Sequence, residues 1–82
     1  MENQVEQFIS QFGGKFKLVD YGMNENFQYD GFWLVLKAIK PININSFNTG
    51  SIYFDIQGDT ITVNKGFLNE MRQGLSMIAS CI

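Results

Sequence analysis

The stretch YDGFWLVLKAIKP, residues 29–41, decides the fold of this 82-residue chain. Successive side chains of a β-strand point to opposite faces of the sheet, and here both the even-numbered and the odd-numbered positions carry apolar residues. A β-strand formed by this stretch is therefore apolar on both faces. The even-numbered set is Phe32, Leu34, Leu36 and Ala38, and the odd-numbered set is Trp33, Val35 and Ile39. One face must supply the core, and the other requires a separate explanation.

An amphipathic helix is predicted near each end of the chain, because apolar residues recur there at intervals of three and four. These residues are Val5, Phe8, Ile9 and Phe12 in the first helix, and Leu68, Met71, Leu75, Ile78 and Ile82 in the second. Gly74 lies inside the second helix, where it costs about 1 kcal/mol relative to alanine.

Four strands are predicted between the helices. The segment SIYFDIQGDTITVN, residues 51–64, alternates on both sides of Gly58-Asp59, which is typical of a tight hairpin that pairs Ile56 with Ile61. A first hairpin centred on Glu25 would place Leu18 opposite Phe32. Residues 42–50 are predicted to be a connection with little extended structure, since Asn, Ser and Gly dominate it.

The sequence therefore predicts one α+β domain over residues 1–82, in the order α-β-β-β-β-α. Two layers are expected, a four-stranded antiparallel sheet and N- and C-terminal helices packed on one face of it. Short connections favour a sequential strand order. The predicted core face carries Phe16, Leu18, Phe32, Leu34, Leu36, Ile52, Phe54, Ile56, Ile61 and Val63.

The second sheet face is predicted to be unusually apolar at its first two strands. Its candidate contact residues are Trp33, Val35, Lys17, Tyr21, Tyr29 and Tyr53. In the predicted register Tyr21 opposes Tyr29, and Lys17 opposes Trp33. Two interpretations remain open: a helix or the 40–50 connection covers this face, or the face binds another protein or a second copy of the chain.

An acidic group completes the candidate site. Asp20, Glu25 and Asp30 gather at the end of the first predicted hairpin, where Asp20 and Asp30 would be cross-strand neighbours. The group is interpreted either as a solvated acidic loop or as a rim that attracts a basic partner.

Composition excludes several classes of site. The chain has no histidine and one cysteine, Cys81, which leaves a metal centre almost without ligands and catalysis without its commonest base. None of its eight glycines makes a phosphate-binding spacing. We therefore expect no enzyme activity, no cofactor and no metal. The first twenty residues lack a long apolar run, so neither a secretory signal nor a membrane span is expected, and a cytoplasmic location is the simplest.

The sequence favours a protein-binding function. A short, mildly acidic chain with net charge −2 and no active-site motif is similar in composition to small bacterial or phage inhibitors of the immunity or anti-defence kind. The hypothesis is steric occlusion of a partner protein. The alternatives are a structural homodimer through the same face, and a single-stranded nucleic-acid binder through sheet aromatics, which the acidic charge makes unlikely.

Overall fold

The computed structural model describes residues 2–82, with side chains from Asn3 onward. The elements in chain order are α1 (Glu2–Ser10), β1 (Phe16–Met23), α2 (Phe27–Asp30), β2 (Phe32–Ala38), β3 (Phe47–Thr49), β4 (Ile52–Gln57), β5 (Thr60–Val63) and α3 (Leu68–Ala79). The α+β class with an antiparallel sheet is confirmed. The finer prediction of four strands and two helices is wrong, because the described residues contain five strands and three helices.

The strand order also differs from the sequential default. The sheet runs β1-β2-β5-β4-β3, so β5 inserts between β2 and β4. The additional strand, β3, lies in the segment predicted to be a connection, where Phe47 pairs with Phe54 and stacks on its ring at 5.2 Å. Burial of an aromatic face provides a reason for strand structure that the polar composition of this segment did not predict.

The predicted register of the first hairpin is wrong by four residues. Leu18 pairs with Leu36, and Phe16 pairs with Ala38. The cause is α2, a single helical turn that occupies part of the predicted strand and packs the Phe27 ring edge-to-face on Phe32 at 5.1 Å. Up to Leu18 the shift is an even number, which keeps Phe16 and Leu18 on the predicted core face. Beyond Val19 the shift is five residues, since Tyr21 pairs with Leu34.

The second hairpin is confirmed. Ile56 pairs with Ile61 and Gln57 with Thr60, across a turn in which Gly58 has a φ of 65°. This left-handed conformation is easy for glycine and explains the residue at that position.

One hydrophobic cluster joins the helices to the sheet. Its members include residues that are nearly inaccessible to water: Val5 and Phe8 from α1, Leu34 and Leu36 from β2, and Met71, Leu75 and Ile78 from α3. Each fully buried side chain of this size contributes roughly 1.5 to 3 kcal/mol. Of the ten predicted core residues, eight are buried, while Leu18 and Ile56 are partly buried at the edge of the cluster.

The helices flank the sheet differently from the predicted pair. α1 lies against β1, and α3 lies against β3 and β4 at the opposite edge of the same sheet face. The two are linked through Lys15, whose Nζ donates to the carbonyl oxygens of Ala79 at 3.2 Å and Ile82 at 2.7 Å. α3 has no basic residue in its own last turn, so Lys15 supplies the positive charge that a helix C-terminus favours.

Two glycines allow the chain to pass from β5 into α3 beside the start of β2. Gly31 and Gly66 form a parallel bridge, in which Phe32 donates its N–H to Gly66 and Gly66 donates to Asp30, each at 2.8 Å. A Cβ on Gly31 would lie 2.3 Å from the Gly66 oxygen, and one on Gly66 would lie 2.3 Å from Ile52. The junction therefore requires glycine at both position 31 and position 66.

Gly74 has a packing role that offsets its low helix propensity. A Cβ at this position would lie 2.2 Å from a ring carbon of Phe54, which is fully buried. The missing side chain allows α3 to approach the sheet closely enough to cover that ring.

No helix within residues 2–82 is both long and apolar enough to cross a membrane.

We predict that Gly74→Ala destabilises the protein although alanine is the better helix former. The gain of about 1 kcal/mol in helix propensity is outweighed by overpacking against Phe54, and the free energy of unfolding falls by about 1 to 2 kcal/mol. Denaturant unfolding followed by circular dichroism measures the change. Ser76→Ala, at an exposed position of the same helix, is the control and is expected to raise stability by a few tenths of a kcal/mol. A Gly74→Ala protein more stable than the wild type would contradict this account of the packing.

Candidate functional site

The side of the sheet away from the hydrophobic cluster forms a surface that we call the open face. Directly paired residues share a face, and the pairs on this side form rows across the strands. They are Lys17–Lys37–Thr60–Gln57, Asp20–Val35–Thr62–Asp55, Gly22–Trp33 and Asn48–Tyr53. The odd-numbered residues of β2 therefore lie on a mixed surface of aromatic, aliphatic, charged and hydroxyl side chains.

The open face has no cover among the described residues. None of the buried hydrophobic residues of that part of the chain lies on it, and the 40–50 connection packs elsewhere. Ile42 is buried in the hydrophobic cluster, and Phe47 stacks on the core ring of Phe54. The interpretation in which this connection folds over the second face is wrong, because its apolar side chains contribute to the core instead.

Trp33 lies flat against the backbone of β1. A Cβ built on Gly22, its cross-strand partner, would lie 2.5 Å from the indole Nε1 and 2.6 Å from Cε2. The ring therefore fills the space that a side chain at position 22 would occupy. This contact leaves Trp33 partly exposed and holds one side of the ring against protein.

A β-bulge at Val19 decides which residues of β1 reach the open face. The register changes between Leu18 and Asp20, which leaves Val19 without a partner and 57% exposed. After the bulge the alternation reverses, so Tyr21 pairs with Leu34 and packs against the core cluster. The prediction that Tyr21 belongs to the second face is wrong, because the extra residue rotates it to the other side.

The predicted pairing of Tyr21 with Tyr29 is also wrong. Tyr29 belongs to α2, is 77% exposed and has no place in the sheet. Tyr53, by contrast, lies on the open face and is 47% exposed. Of the four predicted aromatic anchors, the fold thus places Trp33 and Tyr53 on this surface.

The three residues of the predicted acidic group lie on different elements, because α2 replaces part of the predicted hairpin. Asp20 pairs with Val35 on the open face, and its carboxylate accepts the N–H of Tyr21 at 2.9 Å. Asp30 ends α2, where its carbonyl oxygen accepts from Asn24 and Gly66, and Glu25 is exposed in the turn before that helix. Asp20 and Asp30 are not cross-strand neighbours. Among the residues whose side chains are described, no three acidic, cysteine or histidine groups are arranged to hold a metal ion.

Two lysines face each other where the sequence predicted Lys17 opposite Trp33. Lys17 pairs directly with Lys37, and the nearest counter-charge is Asp59, whose Oδ2 lies 3.8 Å from the Lys37 Nζ. Like charges at directly opposed positions of a sheet are destabilising. This end of the open face is therefore positive, and the middle row carries Asp20 and Asp55.

Gly22 is an open-face residue that sequence reasoning missed, and the direct pairing of Lys17 with Lys37 was missed as well. A glycine inside an alternating apolar run often marks close approach of another group, and that signal was present at Gly22. Lys37 became a neighbour of Lys17 only through the long connection between β1 and β2, which the alternation pattern does not encode.

Comparison with protein-family models, curated proteins and solved structures found no match to this chain.

We predict that Gly22→Ala displaces the Trp33 ring. The new methyl group occupies the volume of the indole, so the emission of this single tryptophan shifts to longer wavelength and quenching by acrylamide increases. The free energy of unfolding falls by about 1 kcal/mol, since the ring can move into solvent. Unchanged emission would contradict the contact. Lys17→Thr, on the same strand and face, serves as the control and leaves the emission unchanged.

We predict that Lys17→Thr raises stability. It removes one of two directly opposed positive charges and introduces a residue with higher strand propensity, for a gain of roughly 0.2 to 1 kcal/mol. The charge-dependent part of the difference between variant and wild type shrinks in high salt, because exposed charges are screened. Parallel unfolding curves at low and high ionic strength measure this dependence, and a variant less stable than the wild type at low salt would contradict it.

Proposed function

We propose that this chain is a non-catalytic protein-binding module that contacts its partner through the open face. The observation that carries the proposal is the surface around Trp33, whose ring lies against Gly22 and is partly exposed. An aromatic side chain held in this manner loses little further entropy on binding and can bury a large area. Val35 extends the surface along β2, and Tyr53 adds an aromatic side chain on β4, two strands away.

The charges of the open face favour a protein partner over a nucleic acid. Lys17 and Lys37 supply positive charge at one end, while Asp20 and Asp55 lie in the adjacent row. A phosphate backbone would meet carboxylates beside the stacking residue, whereas a protein surface can present both signs of charge. Glu25, Asp30 and Tyr29 lie beyond the end of the sheet and belong to the proposed contact only as its periphery.

The finer proposal is inhibition by steric occlusion, in the manner of small bacterial or phage immunity and anti-defence proteins. It is supported by the size of the chain, by its mild acidity and by the presence of Trp33 and Tyr53 on the open face. In this proposal the protein works in the cytoplasm. The partner loses function because its own site is covered, and no bond is made or broken.

A structural homodimer is the second candidate function. Val19, at the bulge of β1, is 57% exposed, and Ile39, just after the end of β2, is 61% exposed. A second copy of the chain would remove this apolar area from water. Light scattering at tens of micromolar separates the two candidates, since a monomer leaves the open face available to a different protein.

Trp33→Ser is expected to retain the fold and abolish capture of the partner. Affinity capture from the native cell is carried out with the wild type and with the variant, and the captured proteins are compared by mass spectrometry. The comparison identifies proteins whose capture requires Trp33. Purified partner is then titrated against both forms, and the variant should bind at least about a hundredfold more weakly, as for a central aromatic anchor.

Met77→Ser provides the matched control. Met77 is 48% exposed on α3, so this substitution removes exposed apolar surface at a position away from the open face. It should leave binding unchanged. Equal loss of binding in both variants would indicate non-specific hydrophobic capture, and unfolding of the Trp33→Ser protein would place Trp33 in the core and overturn the proposal.

A further inference from the structure

A groove of about 670 Å³ runs between α1 and α3, on the helical side of the molecule. Its walls include the aromatic residues Phe8, Phe27 and Phe67, and its rim includes Gln7, Asn69 and Arg72. This volume lies within the range of sites that hold small organic ligands, roughly 300 to 1,000 Å³. The groove shares no lining residue with the open face, so an inference about it is independent of the proposed function.

The aromatic walls are compact and held in place. Phe27 meets Phe32 at 5.1 Å and Phe67 at 5.6 Å between ring centroids, and both contacts are edge-to-face. Phe8 is buried and packs edge-to-face on Phe12 at 5.3 Å. The rings thus form an apolar wall of fixed shape, large enough to contact one aromatic ring system of a ligand.

Arg72 is fixed at the rim by two contacts. Its guanidinium carbon lies 5.3 Å from the centroid of the Phe8 ring, and its Nη1 donates to Oε1 of Gln11. A guanidinium that is already oriented loses less entropy when it binds an anion, and its remaining N–H groups suit the two oxygens of a carboxylate.

The charge of the groove is one-sided. Arg72 is the only charged side chain among its lining residues, counted over residues 3–82, and no carboxylate from that part of the chain lines it. Gln7 and Asn69 add neutral amide groups that can donate to a ligand oxygen. A single positive charge beside an apolar wall is complementary to a monoanion with an apolar body.

We infer that this groove is a binding site for a small aromatic carboxylate. The ring of the ligand packs against the partly exposed Phe27 and Phe67, while its carboxylate accepts hydrogen bonds from Arg72 and from the amide of Gln7 or Asn69. Neither part suffices alone, because the apolar wall gives no charge preference and a lone exposed arginine binds carboxylates weakly.

Three probes separate the contributions of the ring and the charge. Indole-3-acetate carries both, indole-3-acetamide carries the ring without the charge, and acetate carries the charge without the ring. Each is titrated into the full chain and followed by backbone amide shifts in ¹H–¹⁵N NMR spectra. We expect saturable shifts around Phe8, Gln11 and Arg72 with indole-3-acetate, with a Kd on the order of 1 mM or below. The other two probes should bind at least about tenfold more weakly.

Arg72→Gln supplies the test of the charged contact. Arg72 is exposed, so the fold is expected to persist, and the variant should bind indole-3-acetate and indole-3-acetamide equally. Arg72→Lys retains the charge without the planar fork and should fall between the two. Trp33→Ser should bind indole-3-acetate as the wild type does, which separates this site from the open face.

Any one of four results would overturn the inference. Three of them are no saturable shift at the solubility limit of indole-3-acetate, equal affinity of the wild type for the acid and the amide, and shifts centred on the open face. Acetate binding as tightly as indole-3-acetate would also overturn it, because the ring would then contribute nothing.

Discussion

Hydrogen bonding of β2 to a neighbour on each edge is the constraint on which the rest of this structure depends. β1 occupies one edge and β5 the other, and the even-numbered side chains Leu34 and Leu36 are completely buried beneath the helices. Because β5 lies beside β2, the strands β3 and β4, which come earlier in the chain, lie farther from β2 in the sheet. The chain then comes back toward β2 to form β5. The Gly31–Gly66 bridge closes this return and delivers the chain into α3, whose Gly74 allows the helix to cover the sheet.

The core of this fold was predictable because it depends on the parity of positions and not on exact pairing. The first hairpin was predicted four residues out of register, yet Leu18 and Phe32 still point toward the helices. The strand order and β3 were not predictable from alternation, because both depend on contacts between distant segments. Phe47 forms a strand through its stacking on Phe54, while its own sequence neighbours are polar.

The candidate site was predicted in part, and its two misplaced tyrosines have different geometric causes. Trp33, Val35, Lys17 and Tyr53 lie on the open face as expected, because each follows simple alternation from the core residues. Asp20 reaches this face only through the bulge at Val19. Tyr21 does not, since one inserted residue at Val19 reverses the alternation, and Tyr29 is carried off the sheet by α2. The groove beside Arg72 was not predicted at all, because its walls come from α1, α2 and α3 and meet only in the folded chain.

The bulge at Val19 has a consequence for the behaviour of the protein in a crowded solution. β1 is the long outer strand of the sheet, and an uninterrupted outer strand is a template on which further strands can add and aggregates can grow. Here the extra residue interrupts the regular edge at Val19, and the opposite edge is the short, three-residue β3. The two described edges of this sheet are therefore poor templates for strand addition, in a chain of which 45% of residues are hydrophobic.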